Sequence, residues 1–106
     1  MKLDVVKQTK DLVSYKSNSL DTNVPLTQHT ARTLRSLGFT VEELKYKDVN
    51  GVPKMSIVAK LGSGKGGLSL MSHNDTVPAD KDEGWIGDPF KARVAGGKLY
   101  GRGSSD

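Results

Sequence analysis

The chain contains no cysteine. Disulfide staples and thiolate metal sites are therefore excluded, and any metal would need histidine and carboxylate ligands. Long apolar runs are also missing. None approaches the roughly 20 residues that a membrane helix needs. The opening Met1-Lys-Leu-Asp-Val-Val-Lys7 carries charges at Lys2, Asp4 and Lys7 and lacks the apolar core of a signal peptide. A soluble, cytoplasmic protein with no membrane partner is the expectation. Aromatic residues are few, and the basic residues are scattered from Lys2 to Arg102 among acids. The net charge of +4 thus forms no continuous stripe, and a nucleic-acid partner is not expected.

What is present fits one domain at most, since the chain has 106 residues. Leu3, Val6, Leu12 and Val13 fall broadly on one face of a helix over 3–15. Ser17-Asn-Ser19 breaks that pattern. A second helix is better marked: Asp21, Thr22 or Asn23 can cap it, Pro25 suits its first turn, and Gly38 stops it. Its stripe is Leu26, Thr30, Leu34 and Leu37. Phe39, Val41, Leu44 and Tyr46 then read as a strand, Asn50-Gly51 as a hairpin turn, and Met55 to Leu61 as the returning strand. Gly62 to Gly67 is a turn. It faintly echoes a phosphate loop, but it lacks the full pattern and leads into a strand, so phosphate binding is not expected. Leu68 to Ser72 has little charge and is expected as a strand buried on both faces. A last hairpin pairs Phe90 to Val94 with Lys98 to Tyr100 around Gly96-Gly97. This order predicts the α/β class, a mixed sheet with two amino-terminal helices packed on it.

Met71-Ser-His-Asn-Asp-Thr-Val-Pro78 carries the chemistry. Residues two apart in a strand share a side. His73 and Asp75 would thus emerge together at the carboxyl end of the 68–72 strand, where open α/β sheets place ligands. One ring nitrogen of His73 suits a metal, and Asp75 can accept the other ring N–H, fixing the tautomer. Alone, such a pair is more often a surface or capping pair. Asp106 alone, in a Ser-Ser-Asp run, can simply be solvated.

Read in order, His73-Asn-Asp-Thr-Val-Pro78, Gly84-Trp-Ile-Gly-Asp-Pro-Phe90 and Gly97-Lys-Leu-Tyr-Gly-Arg-Gly-Ser-Ser-Asp106 strongly resemble one family. It is the family of zinc-dependent exopeptidases and deacylases that includes acetylornithine deacetylase, succinyl-diaminopimelate desuccinylase, aminoacylase and carboxypeptidase G. The resemblance covers essentially the whole chain and corresponds to that family's amino-terminal portion. It implies part of a three-layer α/β/α zinc-exopeptidase-like catalytic domain over residues 1–106. It implies His73 as a metal ligand, Asp106 as a carboxylate bridging two zinc ions, and Asp75 as the catalytic-site acid that orients His73. Cobalt or manganese could replace zinc. It implies an N-acyl amino acid or peptide substrate, hydrolysed by metal-activated water with a glutamate as base.

That glutamate and the remaining ligands lie downstream in the family. Glu42-Glu43 precedes the motif and is rejected as the base. Asp80, Asp82 and Glu83 read as a solvated loop, and His29 as a surface or packing residue. Arg102 reads as a structural ion pair, Trp85, Pro89 and Phe90 as loop packing, and Tyr100 as core or rim. The expectation is a fragment that is inactive alone and either self-associates into a homo-oligomer through unpaired sheet edges or is only partly ordered after about Val77. The alternative is a non-catalytic domain that reuses the fold for protein binding or self-assembly.

Overall fold

A computed structural model of the chain describes residues 2–80 and 83–106. The elements are helices α1 (Val5–Val13) and α2 (Val24–Ser36), strands β1 (Thr40–Lys47) and β2 (Pro53–Lys60), and the short strands β3 (Arg93–Ala95) and β4 (Lys98–Tyr100). They divide between two compact units. The first runs from Asn23 to Asn74; the second comprises Lys2–Thr22 and Asp75–Asp106.

The first unit is a helix on a hairpin. Helix α2 is preceded by Asn23 at its N-cap position, with Pro25 in its first turn. It ends as the sequence predicts. The Phe39 N–H donates to the Leu34 carbonyl at 3.1 Å and the Gly38 N–H to the Arg35 carbonyl at 3.0 Å. This is the Schellman arrangement, which satisfies carbonyls that the last helical turn would leave unpaired. The buried face is wider than the predicted stripe. Leu26, Thr27 and Ala31 are buried, whereas Thr30, Leu34 and Leu37 are only half-buried.

Strands β1 and β2 pair antiparallel from Thr40↔Lys60 to Lys47↔Pro53. The turn at Asn50-Gly51 is longer than a two-residue loop and is organised by Asp48. Its Oδ1 accepts the N–H groups of Asn50 at 2.8 Å and Val52 at 3.0 Å. Met55 of β2 is 1% exposed. Burying a side chain of that size is worth about 1.5–3 kcal/mol. Its backbone must also be satisfied, and the partner is a side chain. The Met55 N–H donates to Asn23 Oδ1 at 2.9 Å, and Asn23 Nδ2 donates back to the Met55 carbonyl at 3.0 Å. A side-chain amide presents the same donor and acceptor as a peptide unit. Asn23 thereby gives Met55 what a neighbouring strand would give. Thr27 Oγ1 adds a third bond, to the Met55 carbonyl at 3.3 Å.

In the second unit, Asp4 caps α1 by accepting the Lys7 N–H at 3.1 Å. Helix α1 is shorter than the predicted 3–15 segment, and Val13 is its one buried residue. Leu3, Val6 and Leu12 stay 38%, 48% and 40% exposed. Val13 meets Gly101 closely: a β-carbon at Gly101 would lie 2.7 Å from Val13 Cγ1 and 3.3 Å from Ala92 Cβ. The predicted last hairpin forms, with Arg93↔Tyr100 in register about Gly96-Gly97.

The expected single mixed sheet is not what forms. The described strands make two separate antiparallel pairs, β1–β2 and β3–β4. The expected buried strand at 68–72 is absent as well: no ladder forms there, and Leu68, Leu70 and Met71 are 87%, 85% and 95% exposed. A strand is defined by the neighbour that takes its N–H and C=O groups, so an apolar pattern without such a neighbour stays irregular. At Met55 that neighbour's place is taken by Asn23. Replacing Asn23 with alanine leaves the Met55 N–H unpaired in the core. Asn23→Ala is therefore expected to lower unfolding stability by about 1–3 kcal/mol, measured by urea denaturation. An unchanged midpoint would refute the role assigned to this side chain.

Candidate functional site

His73 and Asn74 close the first unit. His73 is exposed. Asn74, the middle residue of the His-x-Asp motif, is held on both sides of its amide. It accepts from Asn23 Nδ2 at 3.1 Å and donates to Thr27 Oγ1 at 2.8 Å. The residue following His73 is thus pinned to the first turn of α2. The strand end that was to present His73 and Asp75 on one side is not formed, because 68–72 has no ladder.

Asp75 opens the second part of the second unit and is half-buried. Its Oδ2 accepts the Ser19 hydroxyl at 2.6 Å. Beside it, the Thr76 N–H donates to the Ser17 carbonyl at 2.9 Å and the Ser19 N–H to the Thr76 carbonyl at 3.0 Å. These bonds make a single parallel bridge between Asn18 and Thr76. The turn that leads to Asp106 lies against the same residue. A β-carbon at Gly103 would sit 2.6 Å from Thr76 Cγ2, and Gly103 has φ +83°. Both facts favour glycine there. The second unit therefore brings the Asp75 and Asp106 segments together through Thr76, with Asp106 itself exposed.

Arg102 sits at the centre of that turn. Its N–H donates to the Pro89 carbonyl at 2.8 Å. Its guanidinium pairs with the Glu83 carboxylate and lies 5.1 Å from the Trp85 ring centre. Trp85 Nε1 donates to the same Glu83 oxygen at 3.0 Å. Arg102 is thus in a structural ion pair, as its residue type and place suggested. Glu83 is not the loose carboxylate expected of a solvated loop, because two donors converge on it. Asp80 is exposed, and Asp82 lies outside the described residues. Next to this cluster is an open cavity of about 300 Å³ lined in part by Trp85, Asp88, Lys91, Arg93 and Tyr100. Tyr100 is on its rim, 40% exposed, with the Arg93 guanidinium 4.3 Å from its ring centre.

His73 and Asp106 are donors of the types that zinc takes, with Asp75 as the carboxylate for the ring N–H, but they are fewer than a complete zinc centre needs. Among the described residues no group of three or more His, Cys, Asp or Glu side chains could hold a metal ion, where three or four ligands are usual for zinc. Also among the described residues, no helix is long and apolar enough to cross a membrane. Sequence reasoning missed Ser19, Asn23 and Asn74. Asn23 was marked only as a possible helix cap, yet it makes no side-chain cap bond. Its partners lie 32 and 51 positions away, beyond any local pattern.

The pattern of peptidase family M20/M25/M40 matches residues 69–106. The chain is similar to the succinyl-diaminopimelate desuccinylase of Wolbachia pipientis subsp. Culex pipiens (strain wPip), 37% identical over 106 residues, which is 100% of this chain and 25% of the relative. It is similar to the acetylornithine deacetylase of Proteus mirabilis (strain HI4320), 43% identical over 84 residues, 79% of this chain and 21% of the relative. The acetylornithine deacetylase of Myxococcus xanthus is 36% identical over 99 residues, 91% of this chain and 25% of that protein. The chain thus spans about a quarter of the length of the curated relatives it matches.

The Glu83 cluster carries a pH signature. The hydrogen bond from Trp85 holds the Glu83 carboxyl below its ordinary value of 4.5, helped by a backbone hydrogen bond from Asp80 and the Arg102 charge, against partial desolvation. A carboxyl whose folded value is depressed adds stability that is present above its unfolded value and lost as pH falls through the folded one. The expected Glu83 titration midpoint, followed by carboxyl carbon NMR, is below 4.5. In Trp85→Phe it should move up toward that value. A midpoint unmoved by this change would show that the indole N–H is not the cause.

Proposed function

From a similarity that runs the length of the chain to the amino-terminal part of the M20/M25/M40 peptidases and deacylases, we propose that the chain belongs to that family and forms part of a metal-dependent amide hydrolase. One observation carries the reading: the family match over 69–106 contains His73, Asp75 and Asp106 together. In this reading His73 and Asp106 are zinc ligands and Asp75 orients the His73 ring. Cobalt or manganese would suit the same donors. The substrate is an N-acyl amino acid or a peptide. The names of the relatives, a desuccinylase and a deacetylase, support cleavage of an acyl group from an amine. The setting is a cytoplasmic three-layer α/β/α catalytic domain.

The chain's own part is binding and orientation. His73 offers an imidazole donor, and Asp75 offers a carboxylate for the ring N–H. Asp106 adds a second carboxylate at the end of the glycine turn. Among the described residues no group of three or more His, Cys, Asp or Glu side chains could hold a metal ion, and in this proposal the 106 residues alone are inactive. A chimera tests it. Joined to the remaining length of the Proteus mirabilis acetylornithine deacetylase in place of the matching segment, the chain should support zinc- or cobalt-dependent hydrolysis of N-acetylornithine. His73→Ala and Asp106→Ala should each abolish that activity. Asp75→Asn should reduce it about 10–100-fold, the usual cost of losing the partner that orients a metal-binding histidine. A folded chimera without activity, or activity indifferent to chelators, would contradict the reading.

A second reading has its own observation. The exposed run of Leu68, Leu70 and Met71 is an apolar segment of extended-strand composition, the kind of surface that pairs with another chain. It supports self-association of the 106-residue chain into a homo-oligomer. Light scattering should give a mass above the monomer, reduced by Leu70→Lys. A monomer at all concentrations would remove this reading.

A further inference from the structure

Ser19 belongs to no motif singled out in the sequence, yet its hydroxyl reaches Asp75 across 56 positions of chain. Both ends of the contact are held by backbone. The Thr76 N–H bonds to Ser17 and the Ser19 N–H bonds to Thr76. Ser17 is buried, at 2% exposure. The loop around Ser19 is also tied locally: Asn18 Oδ1 accepts the Leu20 N–H at 2.8 Å, and the Asn18 carbonyl accepts the Asp21 N–H at 2.8 Å.

The hydroxyl has one proton to give, and the Thr76 carbonyl and Asp75 Oδ2 are both placed to accept it. The Thr76 carbonyl is at 3.4 Å and Asp75 Oδ2 at 2.6 Å. The shorter contact is in the range of a charge-assisted bond to a carboxylate, about 2.5–2.7 Å and roughly twice as strong as a neutral one. The proton therefore goes to Asp75. An aspartate χ1 has three staggered wells. A bond from a backbone-anchored donor to one carboxylate oxygen selects a single well and sets the plane of the group.

We infer that Ser19 is a positioning residue for Asp75: its hydroxyl locks the carboxylate into the one orientation from which Asp75 acts in the site. The use of that orientation rests on the proposed amide-hydrolase reading; the lock itself does not.

The test uses the 106-residue chain and NMR of Asp75. In the unaltered chain the Hα–Hβ couplings of Asp75 take single-rotamer values. Its carboxyl carbon shows a deuterium isotope shift on exchange of the Ser19 hydroxyl. In Ser19→Ala the isotope shift is lost and the couplings move to the average of the staggered wells. In Ser19→Thr, which keeps the hydroxyl, both return. The thermal midpoint is followed in parallel, since a merely structural Ser19 would lower it without averaging the Asp75 rotamer. Averaged couplings or no isotope shift in the unaltered chain would overturn the inference, and that measurement stands even if Ser19→Ala fails to fold. So would Asp75 couplings unmoved by Ser19→Ala, or averaging that Ser19→Thr does not correct. An inactive chimera with a locked Asp75 would reject the hydrolase reading and leave the lock intact.

Discussion

The hydrogen bonds between the Asn23 side chain and the Met55 backbone are the constraint on which the first unit depends. A two-stranded hairpin has an outer edge whose N–H and C=O groups need partners wherever they are buried. At Met55, the largest fully buried side chain among the described residues, water cannot serve. Asn23 supplies both groups at 2.9 and 3.0 Å, and its position at the start of α2 sets the helix over β2. The burial of Leu26, Thr27 and Ala31 follows from that placement. Losing a paired donor in such a place costs more than one hydrogen bond contributes, because a buried unpaired group carries its full desolvation penalty.

The same side chain extends the constraint to the motif. Asn23 Nδ2 also reaches Asn74, and Asn74 reaches Thr27. Asn74 is the residue that the His-x-Asp pattern leaves unspecified, yet it carries the anchorage. Its successor Asp75 is held by different residues, Ser17 to Ser19, through Thr76 and a hydroxyl–carboxylate bond. Two adjacent residues are thus secured by separate networks, one on α2 and one on the loop after α1. His73 and Asp75 owe their placement to these flanking contacts and not to a strand beneath them.

The sequence was readable where the determining interactions are short in range. Both helices, the Gly38 terminator and the two hairpins depend on neighbours within a few positions. The helix period, the Asn50-Gly51 signal and the Gly96-Gly97 pair found them. The 68–72 segment failed because its apolar pattern states a preference while a strand requires a partner. Asn23 looked like a cap because asparagine is favoured there, but its amide bonds across the unit instead. Ser19 was invisible for the same reason, its partner lying 56 positions away, and the Arg102 side of the Glu83 cluster lies 19 positions from Glu83. The candidate site residues were legible because their identity and order lie in the chain itself. Their mutual placement does not.

The Tyr-Gly-Arg-Gly run before Asp106 shows how a motif of apparently chemical residues is mostly packing. Gly101 is required because Val13 and Ala92 leave no room for a β-carbon. Gly103 is required twice over, by its positive φ and by the Thr76 methyl 2.6 Å from where a β-carbon would sit. Arg102, between them, is held by Glu83, Trp85 and the Pro89 carbonyl. Exposed ion pairs contribute little by themselves. This one is 22% exposed on the arginine side and is reinforced by the indole N–H and the aromatic face, so it fixes geometry more than it adds stability. The Trp85 segment and the glycine turn, which look like separate signatures in the sequence, form one device in the second unit. Its outcome is the placement of the turn that ends in Asp106 against Thr76, the neighbour of Asp75. A carboxylate at the end of such a turn is presented by the packing of the glycines before it.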